Sequence, residues 1–274
     1  AFQGEPGAYS HQACVEARPN LEPLPCATFE DAIAAVRKGD AVQAMLPVEN
    51  STYGRVADIH QLLPESGLKI IEECFVRVHI NLLVVPGAKL NDVKIAQSNT
   101  VLLGQSRDFL RENDIATLIG ADTAGSAQHS AELADPSCAA LASERAGQIY
   151  GLDVLARHIE DHDKNTTRFL IMSREMDMKR RGKVGMKTTF VFRVRNIPAA
   201  LYKAMGGFAT NGINMTKLES YMVDGHFTAT QFYADIDGHP DDKNVQLAFE
   251  ELDYFTDKLE LLGVYPTGQI TSDG

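Results

Sequence analysis

The sequence of 274 residues has no tryptophan, no long apolar run and no excess of basic residues. Its 26 Lys and Arg stand against 37 Asp and Glu, so the formal net charge is −11, which disfavours binding to nucleic acid or to an anionic membrane. No stretch reaches the ~18 consecutive apolar residues that a membrane-spanning helix needs. The first residues form neither a basic leader nor a hydrophobic signal region. We therefore expect a cytoplasmic protein without nucleic-acid or membrane partners.

Cysteine is scarce, and no two cysteines are close in sequence. The four stand at positions 14, 26, 74 and 138 and form no C-x-x-C pair. Because this spacing suits neither a zinc site nor a redox motif, we expect free thiols in a reducing compartment. With 44% hydrophobic and 23% charged residues, the composition is typical of a globular protein that needs no disulfide to build its core.

Short apolar runs alternate with helix-like patterns from the N-terminus to about residue 172. The apolar runs predict strands at 42–48, 77–85, 93–97, 118–121, 138–142 and 168–173. Helical periodicity predicts helices at 56–63, 99–113 and 124–134. Repeated alternation of strand and helix indicates an α/β fold with a mostly parallel sheet.

The pattern changes after a polar stretch at residues 174–186. Its basic run, 179–183, is interpreted as part of a solvated linker, with a nucleic-acid patch as the alternative. Beyond it we predict strand 187–194, helix 198–210, strand 213–221, a hairpin turn at 223–225, strand 226–236, helix 241–255 and strand 258–264. The order βαββαβ is that of a ferredoxin-like α+β unit, which often pairs with a second copy of itself.

Polar residues gather where the predicted strands give way to helices: Asn50, Ser51, Ser98 and Thr123. In an open α/β sheet these points lie at the carboxyl ends of the strands, where ligands bind, and free N–H groups at helix starts suit carboxylates. Each residue alone is equally explained as a helix cap. Gln105 follows Ser98 by seven residues, so a helix that includes both would place them on the same face.

The segment Asn165-Thr166-Thr167-Arg168-Phe169 runs directly into a predicted buried strand. Its threonines and arginine provide a hydroxyl donor and an anion contact, although threonine and phenylalanine are also common at strand starts. The segment shows no Ser/His/Asp or Cys/His pattern that would indicate nucleophilic acyl chemistry.

Two histidines, His158 and His162, stand four residues apart among three carboxylates at 160, 161 and 163. That spacing allows a metal site. Because the pattern is not H-E-x-x-H and lies in a loop-like stretch, we interpret it as a polar connection and expect no metal.

Taken together, the motifs resemble those of the prephenate dehydratases, over essentially the whole chain to about residue 266. The opening Gly-x-x-Gly motif corresponds to residues 4–10, with Ala8 in place of a hydroxyl residue, and the Pro-Val-Glu-Asn-Ser motif to residues 47–51 with Gly54. Ser98 and Gln105 match the family's Ser…Gln helix, although Asn99-Thr100 replaces its usual His-Pro. The Asn-x-Thr-Arg-Phe motif is matched by residues 165–169 without a gap.

This resemblance implies an α/β catalytic region at 1–178, with two lobes like a type II periplasmic-binding protein and the active site in the cleft. It also implies an α+β, ferredoxin-like ACT regulatory domain at 187–266, a homodimer or homotetramer, and allosteric inhibition by L-phenylalanine.

The implied reaction is a step of L-phenylalanine biosynthesis, the decarboxylating dehydration of prephenate to phenylpyruvate by a carbon–oxygen lyase (hydro-lyase) that needs no cofactor or metal. The resemblance makes Thr167 the residue that assists departure of the ring hydroxyl, with Asn50, Ser98 and Gln105 orienting the substrate. It implies further substrate contacts for Glu49, Ser51, Thr123, Arg168 and Phe169. Arg168 has a second interpretation, as a residue that holds the strand mouth together.

The resemblance places phenylalanine binding at Asn196, Ala199, Ala200, Leu201, Asn214, Glu219 and Ser220. Two motifs depart from the family pattern: its Gly-Ala-Leu is Ala199-Ala200-Leu201 here, and its Glu-Ser-Arg-Pro is Glu219-Ser220-Tyr221-Met222.

Two other functions remain open from sequence. A non-catalytic amino-acid sensor would have the same modules, although a sensor has no need of the Thr167 hydroxyl. An enzyme acting on arogenate, which carries an amino group where prephenate has a keto group, would use the same chemistry.

Overall fold

A computed structural model of the protein describes residues 1–162, 164–195, 197–222 and 229–269, the side chains at 57, 58, 60, 229 and 230 excepted. The chain divides into two compact units. The described part of unit 1 comprises Ala1–Val56 and Cys74–Phe169, and unit 2 comprises Ala57–Glu73 and Leu170–Gln269. Each unit is described by itself.

The elements follow one another along the chain without long irregular segments. Those of residues 1–98 are β1 (Phe2–Gln3), α1 (Tyr9–Ala17), β2 (Pro25–Cys26), α2 (Phe29–Lys38), β3 (Ala44–Asn50), β4 (Gly54–Arg55), α3 (Ala57–Leu62), a 3₁₀ turn (Leu63–Glu65), β5 (Lys69–Arg77), β6 (Asn81–Val84), a 3₁₀ turn (Leu90–Asp92) and β7 (Ile95–Ser98). Those of residues 99–173 are α4 (Thr100–Gln105), α5 (Arg107–Glu112), β8 (Ala116–Ile119), α6 (Thr123–Leu133), β9 (Cys138–Ala142), α7 (Glu144–Tyr150), β10 (Asp153–Ala156) and β11 (Thr166–Ser173). The remainder are β12 (Met186–Val194), α8 (Ala200–Thr210), β13 (Met215–Met222), β14 (Ala229–Asp237), α9 (Lys243–Phe255) and β15 (Thr256–Pro266).

Unit 1 contains two groups of hydrogen-bonded strands. In the first group β1 lies between β2 and β3 and is parallel to both, and β11 lies on the other side of β3. The helix α2 follows from its sequence: Thr28 caps it by accepting from the Asp31 N–H, and Gly39 ends it in the left-handed conformation. Its buried residues, Ala32, Ile33 and Val36, lie on one face.

The second group is a mixed five-stranded sheet with the order β10-β6-β9-β7-β8. Strand β7 is parallel to β8 and β9, whereas β6 is antiparallel to β9 and β10. Aliphatic residues of these strands and of α4 and α5 form one buried cluster, with Ile80, Leu82, Val84, Ala96 and Leu141 at its centre. The α/β expectation is confirmed, with parallel and antiparallel pairings mixed.

The chain crosses between the two strand groups twice. The first crossing, residues 78–80, splits the strand predicted at 77–85 into β5 and β6, because one apolar run serves two different sheets. The second crossing, residues 157–165, returns the chain from β10 to β11. The crossings are joined by hydrogen bonds from the Val78 N–H to the Asn165 carbonyl and from the Ile159 N–H to the Ile80 carbonyl, each 2.9 Å.

The helix predicted at 99–113 is broken at Ser106 into α4 and α5. The carboxylate of Asp161 accepts hydrogen bonds from the Arg107 and Asp108 N–H groups, both 3.1 Å, and so caps α5 from outside the helix. Ser98 is the last residue of β7, and Asn99 caps α4 by accepting from the Leu102 N–H. The expectation that Ser98 and Gln105 share a helix face is therefore wrong.

Unit 2 contains an antiparallel sheet with strands in the order β13-β14-β12-β15, and the elements follow in the order βαββαβ. Helices α8 and α9 pack on a core rich in phenylalanine, including Phe190, Phe192, Phe208 and Phe232. Strand β15 also pairs in parallel with β5, at Gly263 and Ile70. The hairpin turn predicted at 223–225 and the first residues of the strand predicted at 226–236 lie outside the described residues.

A buried polar cluster lies within the sheet of unit 2. Thr189, which is fully buried, donates to the Asp235 carboxylate at 2.7 Å and accepts from the Tyr265 hydroxyl at 2.7 Å. Close by in sequence, Lys187 pairs with the buried Glu73 at 3.0 Å. These side chains satisfy one another, so the cluster is stable without water.

No helix in the described part of the chain combines the length and the apolar character needed to cross a membrane.

Candidate active site

The end of β3 and the start of β11 bring Asn50 and Thr167 together. Because these strands are neighbours, residues 117 positions apart face each other, and Asn50 Nδ2 donates to Thr167 Oγ1 at 3.0 Å. The other amide atom, Asn50 Oδ1, accepts from the N–H groups of Thr52 and Tyr53 at 2.9 and 3.0 Å. Those two contacts fix the orientation of the amide, so Asn50 presents its NH₂ group to Thr167.

The hydrogen bond from Asn50 decides what Thr167 can do. A hydroxyl has one proton to donate and two positions that accept. Since Thr167 Oγ1 accepts from Asn50, its own proton is directed elsewhere. Half-buried at the strand mouth, Thr167 can give that proton to an oxygen of a bound molecule.

Asn165 extends this contact to the second sheet. Its Oδ1 accepts from Asn50 Nδ2 at 2.7 Å, and its Nδ2 donates to Gln105 Oε1 at 2.7 Å. Asn165 is 1% exposed, and Gln105 ends α4. The four residues Gln105, Asn165, Asn50 and Thr167 thus form one chain of amides and a hydroxyl, which we call the amide chain.

One nitrogen atom of the amide chain makes no hydrogen bond to the described residues. Gln105 is 5% exposed, and its Nε2 has no hydrogen-bond partner among the residues that the structure describes. A buried N–H₂ group without a partner costs about 1–3 kcal/mol. Such an atom is available to donate a hydrogen bond to a ligand.

The amide chain was only partly foreseen from sequence. Thr167, Asn50 and Gln105 were expected at the site, whereas Asn165 was part of the matched motif but was given no role. Its connecting role depends on partners 60 and 115 residues away, which no local pattern reveals. Its place two residues before Thr167 was the available signal.

Ser51 fastens the two strand ends to each other. Its hydroxyl donates to the Lys164 carbonyl at 2.6 Å and accepts from the Thr166 N–H at 2.9 Å, while its own N–H donates to the Thr166 carbonyl. Both hydroxyl functions therefore serve the backbone and position the strand ends, and the substrate contact expected of Ser51 stays a prediction.

Arg168 and Glu49 form an ion pair beneath the site. The guanidinium lies 3.2 Å from Glu49 Oε1, and the arginine side chain is 5% exposed. This pairing agrees with the second interpretation of Arg168, as a residue that holds the strand mouth together. Phe169 is 1% exposed and lies in the core, because β11 is buried on both faces from Arg168 to Met172.

Ser98 and Thr123 serve the second sheet. Ser98 is fully buried, and its hydroxyl donates to the Leu141 carbonyl on β9 at 2.7 Å. Thr123 is 6% exposed and is the first residue of α6, which is capped by Asp122. Neither belongs to the amide chain; Ser98 ties the end of β7 to β9, and Thr123 lies buried at the start of α6.

Tyr53 contributes a contact that the sequence did not reveal. A Cβ placed on Gly104 would lie 2.6 Å from the Tyr53 hydroxyl, so the tyrosine follows the surface of α4 one residue before Gln105. The ring is half exposed. Tyr53 therefore forms part of the wall beside the amide chain, and glycine at 104 is required for its approach.

The opening glycine loop packs on protein. A Cβ on Gly7 would lie 2.8 Å from the Ala146 backbone, and the Gly7 carbonyl accepts from the Ser143 hydroxyl at 2.6 Å. Tyr150 donates to the Pro6 carbonyl at 2.9 Å. Gly7 thus allows the loop to approach α7 closely.

The protein is similar in sequence to enzymes of aromatic amino-acid metabolism. The family model described as prephenate dehydratase matches residues 1–177. A protein of Komagataeibacter europaeus named bifunctional N-acyl-homoserine lactone acylase/prephenate dehydratase is 48% identical over 97% of this chain and 95% of its own. An Arabidopsis thaliana protein named arogenate dehydratase/prephenate dehydratase 1 is 37% identical over 97% of this chain and 71% of its own.

The chain belongs to the prephenate dehydratase family. A solved structure, of prephenate dehydratase from Arthrobacter aurescens in complex with L-Phe, matches with a TM-score of 0.88 and 30% identity, over 97% of this chain and 89% of that one. The likeness thus extends beyond the 177 residues of the prephenate dehydratase model and includes most of unit 2.

In this chain, the described residues that were expected to bind phenylalanine lie in α8 and β13 or directly before them. Ala199 precedes α8 in the left-handed conformation, at φ 59°, which is uncommon for alanine. Ala200 is buried and Leu201 partly buried, whereas Ser220 is exposed. Asn214 donates to the Asp237 carboxylate at 2.8 Å, and Glu219 lies 3.6 Å from Lys217. Asn196 lies outside the described residues.

Proposed function

We propose that the protein catalyses the decarboxylating dehydration of prephenate to phenylpyruvate, as a hydro-lyase of L-phenylalanine biosynthesis. The observation that carries this proposal is the hydrogen bond from Asn50 to Thr167, which leaves the threonine proton available to a leaving hydroxyl. Membership of the prephenate dehydratase family indicates the class of substrate, and the amide chain provides the groups that would assist the reaction.

The reaction needs no external oxidant or reductant. The bond between the ring and its carboxylate breaks, and its electron pair enters the ring as CO₂ departs. Those electrons expel the ring hydroxyl at the opposite carbon, which leaves as water after it gains one proton. Aromatisation of the ring drives the step.

Thr167 assists the departing oxygen. As negative charge builds on that oxygen, the threonine hydroxyl donates a hydrogen bond that strengthens in the transition state. A threonine is a weak acid in water, so its contribution comes from being held in place by Asn50 and not from an altered acidity.

The remaining donor of the amide chain suits the anionic substrate. Gln105 Nε2 gains a partner when a carboxylate or keto oxygen binds, which recovers the cost of its burial. Arg168 is already paired with Glu49, so we assign it to the integrity of the strand mouth. Ser98 acts through the β9 backbone that its hydroxyl holds.

Arogenate is the second candidate substrate. Several relatives carry arogenate dehydratase in their names, and the amide chain acts on the ring end, which both substrates share. The acylase activity in the name of the Komagataeibacter relative is outside the proposal, because the partner of Thr167 Oγ1 is the Asn50 amide, which cannot act as a general base.

One experiment tests the function and separates the substrates. The purified protein is incubated with prephenate or with arogenate, and phenylpyruvate and phenylalanine are quantified against an enzyme-free control. We expect phenylpyruvate from prephenate at a rate that Thr167→Ala abolishes. Absence of both products would overturn the enzyme assignment in favour of an amino-acid sensor.

We further propose the finer architecture. Unit 1 corresponds to a two-lobed, type II periplasmic-binding-protein-like catalytic region, with the amide chain in the cleft, and the βαββαβ elements to an ACT domain at 187–266. The protein acts in the cytoplasm as a homodimer or homotetramer. Sedimentation of the intact protein distinguishes these two states from each other and from a monomer.

L-Phenylalanine is the proposed effector of the ACT domain, and the relative from Arthrobacter aurescens with L-Phe supports it. Addition of phenylalanine is expected to lower turnover. Glu219→Gln is expected to weaken that response while basal turnover is retained, because Glu219 lies in unit 2 on β13. Equal sensitivity of this variant and the parent would contradict the assignment of Glu219.

A further inference from the structure

The two crossings between the strand groups of unit 1 lie side by side and carry three side chains with metal-binding atoms. His79 is in the first crossing, and His158 and Glu160 are in the second. The ligand atoms of these three residues all lie within 4.8 Å of one another. The sequence pair His158 and His162 is thus not the pair that meets, since His158 meets His79 from the other crossing.

The three side chains are held in place by their surroundings. Glu160, whose side chain is 5% exposed, has one carboxylate oxygen 3.1 Å from His79 Nδ1 and accepts from the Ile80 N–H at 2.8 Å with the other. The rings of His79 and His158 stack with centroids 4.0 Å apart and planes 16° from parallel. The backbone of His158 is in the left-handed conformation, at φ 53°, which few residues other than glycine adopt.

We propose that His79, His158 and Glu160 form a binding site for a transition-metal dication such as Zn²⁺. Two imidazoles and one carboxylate are the protein ligands of open zinc sites. Ligand atoms about 2.0–2.1 Å from a tetrahedral zinc lie about 3.3 Å apart. The separation of His79 Nδ1 from Glu160 Oε1, 3.1 Å, is close to that value, and no two of the three ligand atoms are more than 4.8 Å apart.

A cavity beside the cluster provides the fourth position. It has a volume of about 250 Å³, and both His79 and His158 line it together with Gln12, Asn81, Ser143 and Gln148. A metal with three protein ligands keeps a water at its open position, and this cavity is large enough to hold several waters.

Asn81 supplies an independent indication that the cavity receives a polar ligand. It is 2% exposed, and its Oδ1 has no hydrogen-bond partner among the described residues. Its Nδ2 faces the carbonyls of His79 and Ala142, each at 3.4 Å, so the oxygen is the free end. A metal-bound water is a strong donor that satisfies this acceptor.

The site would connect the two crossings covalently through the metal, next to the amide chain. Val78 donates to the Asn165 carbonyl, so the first crossing already touches the residue that links Asn50 to Gln105. A bound metal therefore restrains the segment from which the amide chain is built.

Metal titration of the intact protein tests the proposal. After removal of metal with a chelator, the protein is titrated with Zn²⁺ by calorimetry and with Co²⁺ by visible absorption. We expect one ion per chain and the intense absorption bands of a four-coordinate Co²⁺ site. His158→Asn is expected to weaken binding at least ~10-fold, because a ligand is lost while asparagine tolerates the left-handed backbone.

His162→Asn is the matched control, since it removes the other histidine of the sequence pair and leaves the cluster intact. Glu160→Gln is a second variant that keeps an acceptor for Ile80 and loses the charge, and it should also weaken binding. Thermal unfolding without metal shows whether each variant is folded. Equal affinity of His158→Asn and the parent, loss of binding in His162→Asn alone, or no saturable binding by the parent would each overturn the proposal.

Discussion

The two units use buried polar side chains in opposite ways. In unit 2, the Thr189 hydroxyl donates a hydrogen bond to Asp235 and accepts one from Tyr265, so it is fully used. In unit 1, the Thr167 hydroxyl accepts a hydrogen bond from Asn50 and can still donate one, and the amide NH₂ of Gln105 has no partner among the described residues. The two threonines carry the same hydroxyl group, but only that of Thr167 can still donate a hydrogen bond.

The difference separates a structural cluster from a functional one. A saturated cluster specifies packing and gains nothing from a ligand. An unsaturated cluster costs stability until a ligand arrives, and that cost is recovered on binding. If this comparison is right, substitutions in the amide chain should alter turnover more than stability, and those around Thr189 should do the reverse.

The largest effect is expected from Thr167→Ala. Loss of the hydroxyl should lower kcat by ~10³-fold, equivalent to about 4 kcal/mol, because a group positioned at the leaving oxygen is removed. The free energy of unfolding should change by no more than about 1 kcal/mol. Thr167→Ser, which keeps the hydroxyl, is the matched control and should retain most of the turnover. Similar rates for the alanine and serine variants would remove Thr167 from the mechanism.

Asn50→Asp should have the next largest effect, about 10²-fold on kcat. The carboxylate has the same shape but only accepts, so the Thr167 proton turns towards it and away from the substrate. Steady-state kinetics over pH 6–9 measures the loss. If Asn50→Asp kept the parent's kcat, the direction of the hydrogen bond would not matter, and the proposed role of Asn50 would fall.

Thr189→Val tests the other side of the comparison. It leaves the buried Asp235 and Tyr265 without a shared partner, which should lower the free energy of unfolding by about 1–3 kcal/mol. Chemical denaturation gives this value, and kcat below the transition temperature should stay near that of the parent. Thr216→Val, an exposed threonine on β13, is the control and should change stability by less than about 0.5 kcal/mol. A large drop in kcat for Thr189→Val would break the distinction between the clusters.

The smallest effect is expected from Gln105→Glu. Asn165 keeps an acceptor, but the amide NH₂ group is replaced by an oxygen that repels an anionic substrate. We expect KM to rise ~10-fold, about 1.4 kcal/mol, together with some loss of stability, because the new carboxylate is buried at a position that is 5% exposed. An unchanged KM would show that Gln105 does not face the substrate.

The fold was predictable where each element has its own pattern. The order βαββαβ could be predicted because its strands and helices are separated by clear breaks, and the structure places those elements within a few residues of the predicted bounds. The run at 77–85 could not be divided, because hydrophobic periodicity does not change when a chain leaves one sheet for another. The break at Ser106 depends on Asp161, a cap supplied from 54 residues away.

The site was predictable at the level of residue types and not of partners. Thr167, Asn50 and Gln105 were identified from their motifs, whereas the tasks of Asn165, Tyr53 and Ser51 depend on contacts between distant segments. Ser98 and Gln105 were considered as one helix face because they are seven residues apart, and only the structure shows that Ser98 ends β7 and that Asn99 is the cap of α4.

Asn165 also has a mechanical consequence. Its side chain links β3 to α4 by hydrogen bonds, and its carbonyl accepts a hydrogen bond from the first crossing. One residue therefore contacts all three segments. Asn165 therefore ties the orientation of the Asn50 amide, and through it the Thr167 hydroxyl, to the position of Gln105 at the end of α4. A displacement of α4 that lengthened the 2.7 Å contact with Gln105 would thus be transmitted to Thr167 through a single side chain.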